Sequence, residues 1–221
     1  MTKTTTILSG ICGIAGVIML LISFTINPGP PQSASYEQLI SFGHQYYASI
    51  LWGAWLQTIG PFLIVIFAFS LVFLSQATQS LAGWMVFLGA LILMTISLIE
   101  ITFYIAVLFQ DPPIGSLIGL HLIYAVQHLY FMIGAPALFI PLGLVLKKSV
   151  VLPKLFSWLA IFIGILFEIL GTIYLLHLIL PVWVTAIASI QALWWLASSI
   201  VLIVRAGKIA KDQSRPSGIT N

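Results

Sequence analysis

Apolar residues run along this chain in six long stretches, separated by short polar or proline-rich breaks. The breaks are Asn27-Pro28-Gly29-Pro30-Pro31, Ser75-Gln76-Ala77-Thr78-Gln79-Ser80, Asp111-Pro112-Pro113, Lys147-Lys148-Ser149 and the single Pro181. Proline stops a helix because it lacks the backbone donor and its ring obstructs the preceding turn. Each stretch reaches the roughly 20 apolar residues that a helix needs to cross a ~30 Å hydrocarbon core. The pattern predicts an all-α polytopic integral membrane protein, a six-transmembrane-helix bundle. Its spans fall at about 5–26, 48–74, 82–109, 117–146, 155–180 and 182–204. Together they form one transmembrane domain over 1–206, followed by a basic cytoplasmic tail, 207–221, expected to be irregular. In the long connection 27–47, Ser35 to Phe42 reads as a short surface helix capped by Ser33 or Ser35 and broken near Gly43.

Composition supports the pattern. Of 221 residues, 61% are hydrophobic and 6% charged, and the mean hydropathy is +1.15. A soluble domain cannot hide that much apolar surface. The net charge of +3 does not indicate nucleic acid, because the basic residues are few and placed otherwise. With the amino terminus inside, all eight of them (Lys3, Lys147, Lys148, Lys154, Arg205, Lys208, Lys211 and Arg215) fall on the cytoplasmic side. The three outer connections carry only Glu37 and Asp111 as charged residues. The positive-inside rule then gives an N-in/C-in topology, with the basic tail near anionic lipid. Trp52 and Trp183 lie near the outer boundary and Trp84 and Trp158 near the inner one, as an aromatic belt requires. Short loops and the absence of a glycosylation sequon (Asn27 precedes proline) fit a cell membrane of the inner or plasma type. The lone Cys12 sits inside the first span and allows no intrachain disulfide. Gly10, Gly13 and Gly16 in that span read as a helix-packing face.

Five spans deliver a polar group to one slab in the outer half of the bilayer: Gln57, Glu100, His128, Glu168 and Gln191. Counted at 1.5 Å per residue, the other four lie within roughly 3–8 Å of the depth of Glu168. Tyr104, Tyr124 and Tyr174 extend the slab outward, and Gln127 sits at the margin of the His121–Tyr124–His128–Ala135 face. Small residues accompany the polar ones at helical spacing: Gly53 and Gly60 with Gln57, Gly89 and Ser97 with Glu100, Gly164 and Gly171 with Glu168. Small residues mark the side that meets another helix, so these groups are expected to converge on the bundle interior. Pro61 frees the Gln57 carbonyl within the same slab, whereas Pro136 and Pro141 read as simple kinks. A resemblance between the Gln127 and Gln191 segments, and the placing of Glu100 and Glu168 before Pro112 and Pro181, suggests two related hairpins.

An ionised carboxylate at this depth costs about 2.5 kcal/mol or more, and no lysine or arginine lies in the spans near Glu100 or Glu168. They are therefore neutral acids, or are compensated by His128, a bound cation or water. The leading reading is a pocket that binds or translocates a small or lipophilic ligand, or a lipid, through Glu100, Glu168, His128, Gln57, Gln127, Gln191, Tyr104 and Tyr124. A non-catalytic membrane subunit or scaffold is the second. A metal-dependent intramembrane enzyme using Glu100, His121, His128 and Glu168 is the third; the two histidines stand about 10 Å apart along one helix, which disfavours it. No catalytic or cofactor signature is legible, and a haem would need axial histidines on facing helices.

Overall fold

The computed structural model describes residues 2–27, 35–109, 122–123, 125–176 and 181–214, and among them every regular element is helical. Six helices are long and apolar enough to cross a membrane. They are α1 (Lys3–Ile26), α2 (Tyr36–Leu74), α3 (Leu81–Phe109), α4 (Ala125–Lys147), α5 (Lys154–Leu175) and α6 (Pro181–Ser214). The expected outer ends 117–121 and 177–180, most of the outer proline breaks and the last seven residues lie outside the described residues.

Two helices run further than the sequence suggests. α2 begins at Tyr36 and continues without a break past Gly43. Ser35 caps it: its hydroxyl accepts from the Gln38 amide, and the Gln38 side-chain oxygen accepts from the Ser35 N–H at 2.8 Å. One glycine in a helix costs only about 1 kcal/mol relative to alanine, too little to break a capped and otherwise regular run. The surface helix and the second span are therefore one element. At the other end of the chain α6 continues to Ser214, so 207–214 is helical.

Sequential helices alternate in direction and pack as a closed ring, with α6 returning to α1. Glycines set the closest approaches. A Cβ on Gly16 of α1 would stand 2.7 Å from the Gly60 carbonyl of α2, and one on Gly10 would stand 2.9 Å from the Ser199 carbonyl of α6. The Gly10–Gly13–Gly16 face thus packs against helices on both sides. Gly89 of α3 abuts the backbone of Ala137 on α4, and Gly171 of α5 abuts that of Phe131. Between α4 and α5 the Ser157 hydroxyl donates to the Gly143 carbonyl at 2.8 Å. Large aromatics fill the middle of the ring. Trp195 of α6 meets Phe67 of α2 and Phe139 of α4 with ring centroids 5.8 and 5.0 Å apart.

Lys3, Lys147, Lys148, Lys154, Arg205 and Lys208 gather at one end of the ring, because α1 and α5 start there and α4 ends there. Arg205 donates to the Val150 carbonyl at 2.9 Å, tying α6 to the α4–α5 turn. The Lys147 ammonium stands 4.2 Å above the Trp158 ring. Trp52, Trp84, Trp158 and Trp183 all project from the outside of the bundle.

Candidate functional site

Inside the ring, three helices meet around one carboxyl group. Glu100 of α3 is 9% exposed and Gln57 of α2 is 5% exposed. Gln57 Nε2 donates to Glu100 Oε2 at 2.8 Å, and Gln127 Nε2 of α4 donates to Glu100 Oε1 at 2.9 Å. Each carboxyl oxygen therefore holds one neutral amide donor, and no lysine or arginine pairs with the group among the described residues. Beneath it, the Ser97 hydroxyl donates to the main-chain carbonyl of Gln57 at 3.1 Å. That carbonyl lacks its ordinary helical partner because residue 61 is proline. Ser97 and Glu100 are three residues apart and share a face of α3, so one helix edge supplies both the carboxyl and the hydroxyl.

Next to this cluster the Tyr130 hydroxyl donates to Gln191 Oε1 of α6 at 2.6 Å. Tyr130 opens a π turn, Tyr130–Gly134, in which the Ala135 N–H reaches back five residues to the Tyr130 carbonyl. The cause is one residue further on. Pro136 lacks a backbone N–H and clashes with the carbonyl four residues back; a widened turn relieves that clash without a sharp kink. Pro136 is thus more than the simple kink the sequence suggests.

Several expected members point elsewhere. Glu168 is exposed on the outside of α5 and does not converge with Glu100. The buried stripe of α5 is Ala160, Ile163, Gly164, Phe167 and Gly171, centred on Phe167, and the next residue is rotated about 100° from it. Gly164 and Gly171 do face a neighbouring helix, but they lie on the flank of the stripe, so the glycine spacing placed Glu168 a quarter-turn too far inward. His128 stacks on Tyr174 of α5, ring centroids 4.3 Å apart and planes 9° apart. Tyr104 is half-buried near the C-terminal end of α3. His121 and Tyr124 lie outside the described residues. Among the described residues no group of three or more His, Cys, Asp or Glu could hold a metal ion, and the outward Glu168 cannot join Glu100 in the four-residue metal set.

Sequence reasoning missed Tyr130, and it named Ser97 only as part of a face. Tyr130 stands six residues before Pro136, where a relaxed turn is a standard response to proline in a helix. Ser97 was findable from Pro61, since a carbonyl freed at that depth needs a donor. No protein-family model, curated protein or solved structure matches the chain.

Proposed function

We propose that the chain is a multi-pass membrane protein with both termini in the cytoplasm, and that its interior Glu100–Gln57–Gln127 cluster is a proton- and ligand-binding site. One observation carries this reading: a buried carboxyl held on both oxygens by glutamine amides. A glutamine side chain presents N–H donors at one edge and a carbonyl acceptor at the other. Turned one way, Gln57 and Gln127 satisfy a carboxylate. With one amide reversed, the same pair satisfies a carboxylic acid by accepting its proton. Glu100 therefore keeps its hydrogen bonds in both protonation states, as a group that cycles between them must. A small ligand bearing an N–H or a cationic group can take the place of either amide.

The scaffold reading has its own support, since the cluster cross-links α2, α3 and α4 through well-formed bonds. Infrared difference spectroscopy of the intact protein in lipid separates the two. The proton-binding reading expects an acid carbonyl band that titrates, disappears in Glu100→Gln and remains in Glu168→Leu. If Glu100 contributes no titrating band from acid to alkaline conditions, the cluster is structural.

A further inference from the structure

The outward face of α5 holds two polar side chains in apolar surroundings. Glu168 and Thr172 are both exposed and stand one helical turn apart, about 6 Å between Cβ atoms. Neither side chain has a hydrogen-bond partner among the described residues. The contrast with the other span threonines is direct. Thr58, Thr95 and Thr102 each donate to the carbonyl four residues back, at 2.9, 2.9 and 2.7 Å. Thr172 does not, although the Glu168 carbonyl stands in the equivalent place. Around the pair the face is wholly apolar, with Phe162, Ile165, Ile169 and Leu175 exposed.

A bilayer interior offers such groups no water, and polar side chains there normally turn toward protein. Among the described residues no lysine or arginine stands at the depth of Glu168. Lys154 begins the same helix, fourteen residues or about 21 Å along the axis from Glu168, and the other described basic residues share its end of the ring. A second copy is no better suited. In a two-fold pair of parallel copies packed through α5, each Glu168 would face the other at one depth, a pairing that holds only with a proton between the carboxyls and brings no cation to either.

We propose that this face is an interface for a transmembrane helix of another protein, one that brings a lysine or arginine to the depth of Glu168. There the ammonium or guanidinium pairs with the carboxyl, and Thr172 Oγ1 accepts a second N–H one turn away. The inference rests on the membrane-spanning reading above, but not on the Glu100 site.

The test uses the full chain, carrying a fluorescent donor, reconstituted in phosphatidylcholine vesicles with acceptor-labelled synthetic helices. One helix is all leucine across the core; the other has a single central lysine. Alkaline extraction first establishes that the chain is inserted. The expected result is energy transfer to the lysine helix with an affinity roughly tenfold above that for the leucine helix, as one intramembrane polar pair provides. Glu168→Leu should abolish that preference, and Glu100→Gln should leave it unchanged. Equal transfer to both helices, or a preference that survives Glu168→Leu, would overturn the interface with the membrane reading intact. So would self-association of two copies that depends on Glu168. A chain released by alkaline extraction would overturn both.

Discussion

Gln127 Nε2 and Glu100 Oε1 meet at 2.9 Å across α3 and α4, and a π turn beginning three residues after Gln127 makes the meeting possible. The core face of α4 is set by Ala135, Leu138, Phe139 and Leu142, all buried. Counted back from Ala135 at 100° per residue, His128 would lie about 20° from the centre of that face and Gln127 about 80° from it. The π turn adds one residue to a single turn, so every position before it takes the direction of its successor. Gln127 moves to the core face, and His128 turns by about 100° to lie about 120° from it, against Tyr174 of α5.

Removal of the extra residue should reverse this exchange. Ile133 is in the π turn and about half exposed, so its deletion disturbs little core packing. In the wild type, Gln127→Leu should lower stability by about 1–3 kcal/mol, because a buried carboxyl oxygen loses its donor. In the Ile133 deletion the same substitution should have an effect near zero. Reversible unfolding in mixed micelles measures both. An undiminished Gln127→Leu effect in the deletion would show that the π turn does not set the register.

These residues show how far the sequence carried the structure. Each of the six spans was legible, because an apolar run with proline or polar ends is a one-dimensional signal. The Gln57–Glu100 pairing was half legible: both residues fall at one depth on glycine- and serine-bearing faces. Direction was the weak link. An apolar helix has no polar face to orient it, so small residues alone mark the packed side, and a packing stripe is wide enough to misplace Glu168 by a quarter-turn. The exchange of Gln127 for His128 needed the π turn, which leaves no mark in periodicity beyond Pro136 itself.

The Ser97–Gln57 bond leads to a compensation experiment. Ser97→Ala should destabilise the wild type by about 1 kcal/mol, since it strands a buried carbonyl. Pro61→Ala restores an N–H at residue 61, which can bond the Gln57 carbonyl within α2. In that background Ser97→Ala should be nearly silent. Additive effects in the four-variant cycle would mean that Ser97 acts through packing instead.

The carboxyl and its two amides should behave as a unit. Gln57→Leu and Gln127→Leu each leave a carboxyl oxygen without its donor and should each cost about 1–3 kcal/mol. Glu100→Leu instead leaves two amides unpaired. The triple change to leucine removes every polar partner and should be less harmful than the sum of the three single changes. Strict additivity in equilibrium unfolding would show that the three side chains are not energetically linked.

Orientation across the membrane is open to direct labelling, and the structure says where to put the probes. In a Cys12→Ser background, Gln38→Cys places a thiol in the first turn of α2, exposed at the end of the ring opposite the lysines. Lys208→Cys places one on the exposed surface of α6 at the lysine end. Neither position is buried, and the one capping bond lost with the Gln38 side chain costs about 1 kcal/mol at an exposed helix start, so both variants should keep the parent's fold. The gathering of Lys3, Lys147, Lys148, Lys154, Arg205 and Lys208 at one end should hold that end in the cytoplasm, because basic flanks resist translocation. A membrane-impermeant maleimide added to intact cells should therefore modify position 38 and spare position 208 until the cells are opened. In inverted vesicles the pattern should reverse. Labelling of position 38 only from the cytoplasmic face would invert the topology. The Glu100 cluster would then lie in the cytoplasmic half of the bilayer, and a proton or ligand would enter it from the opposite side.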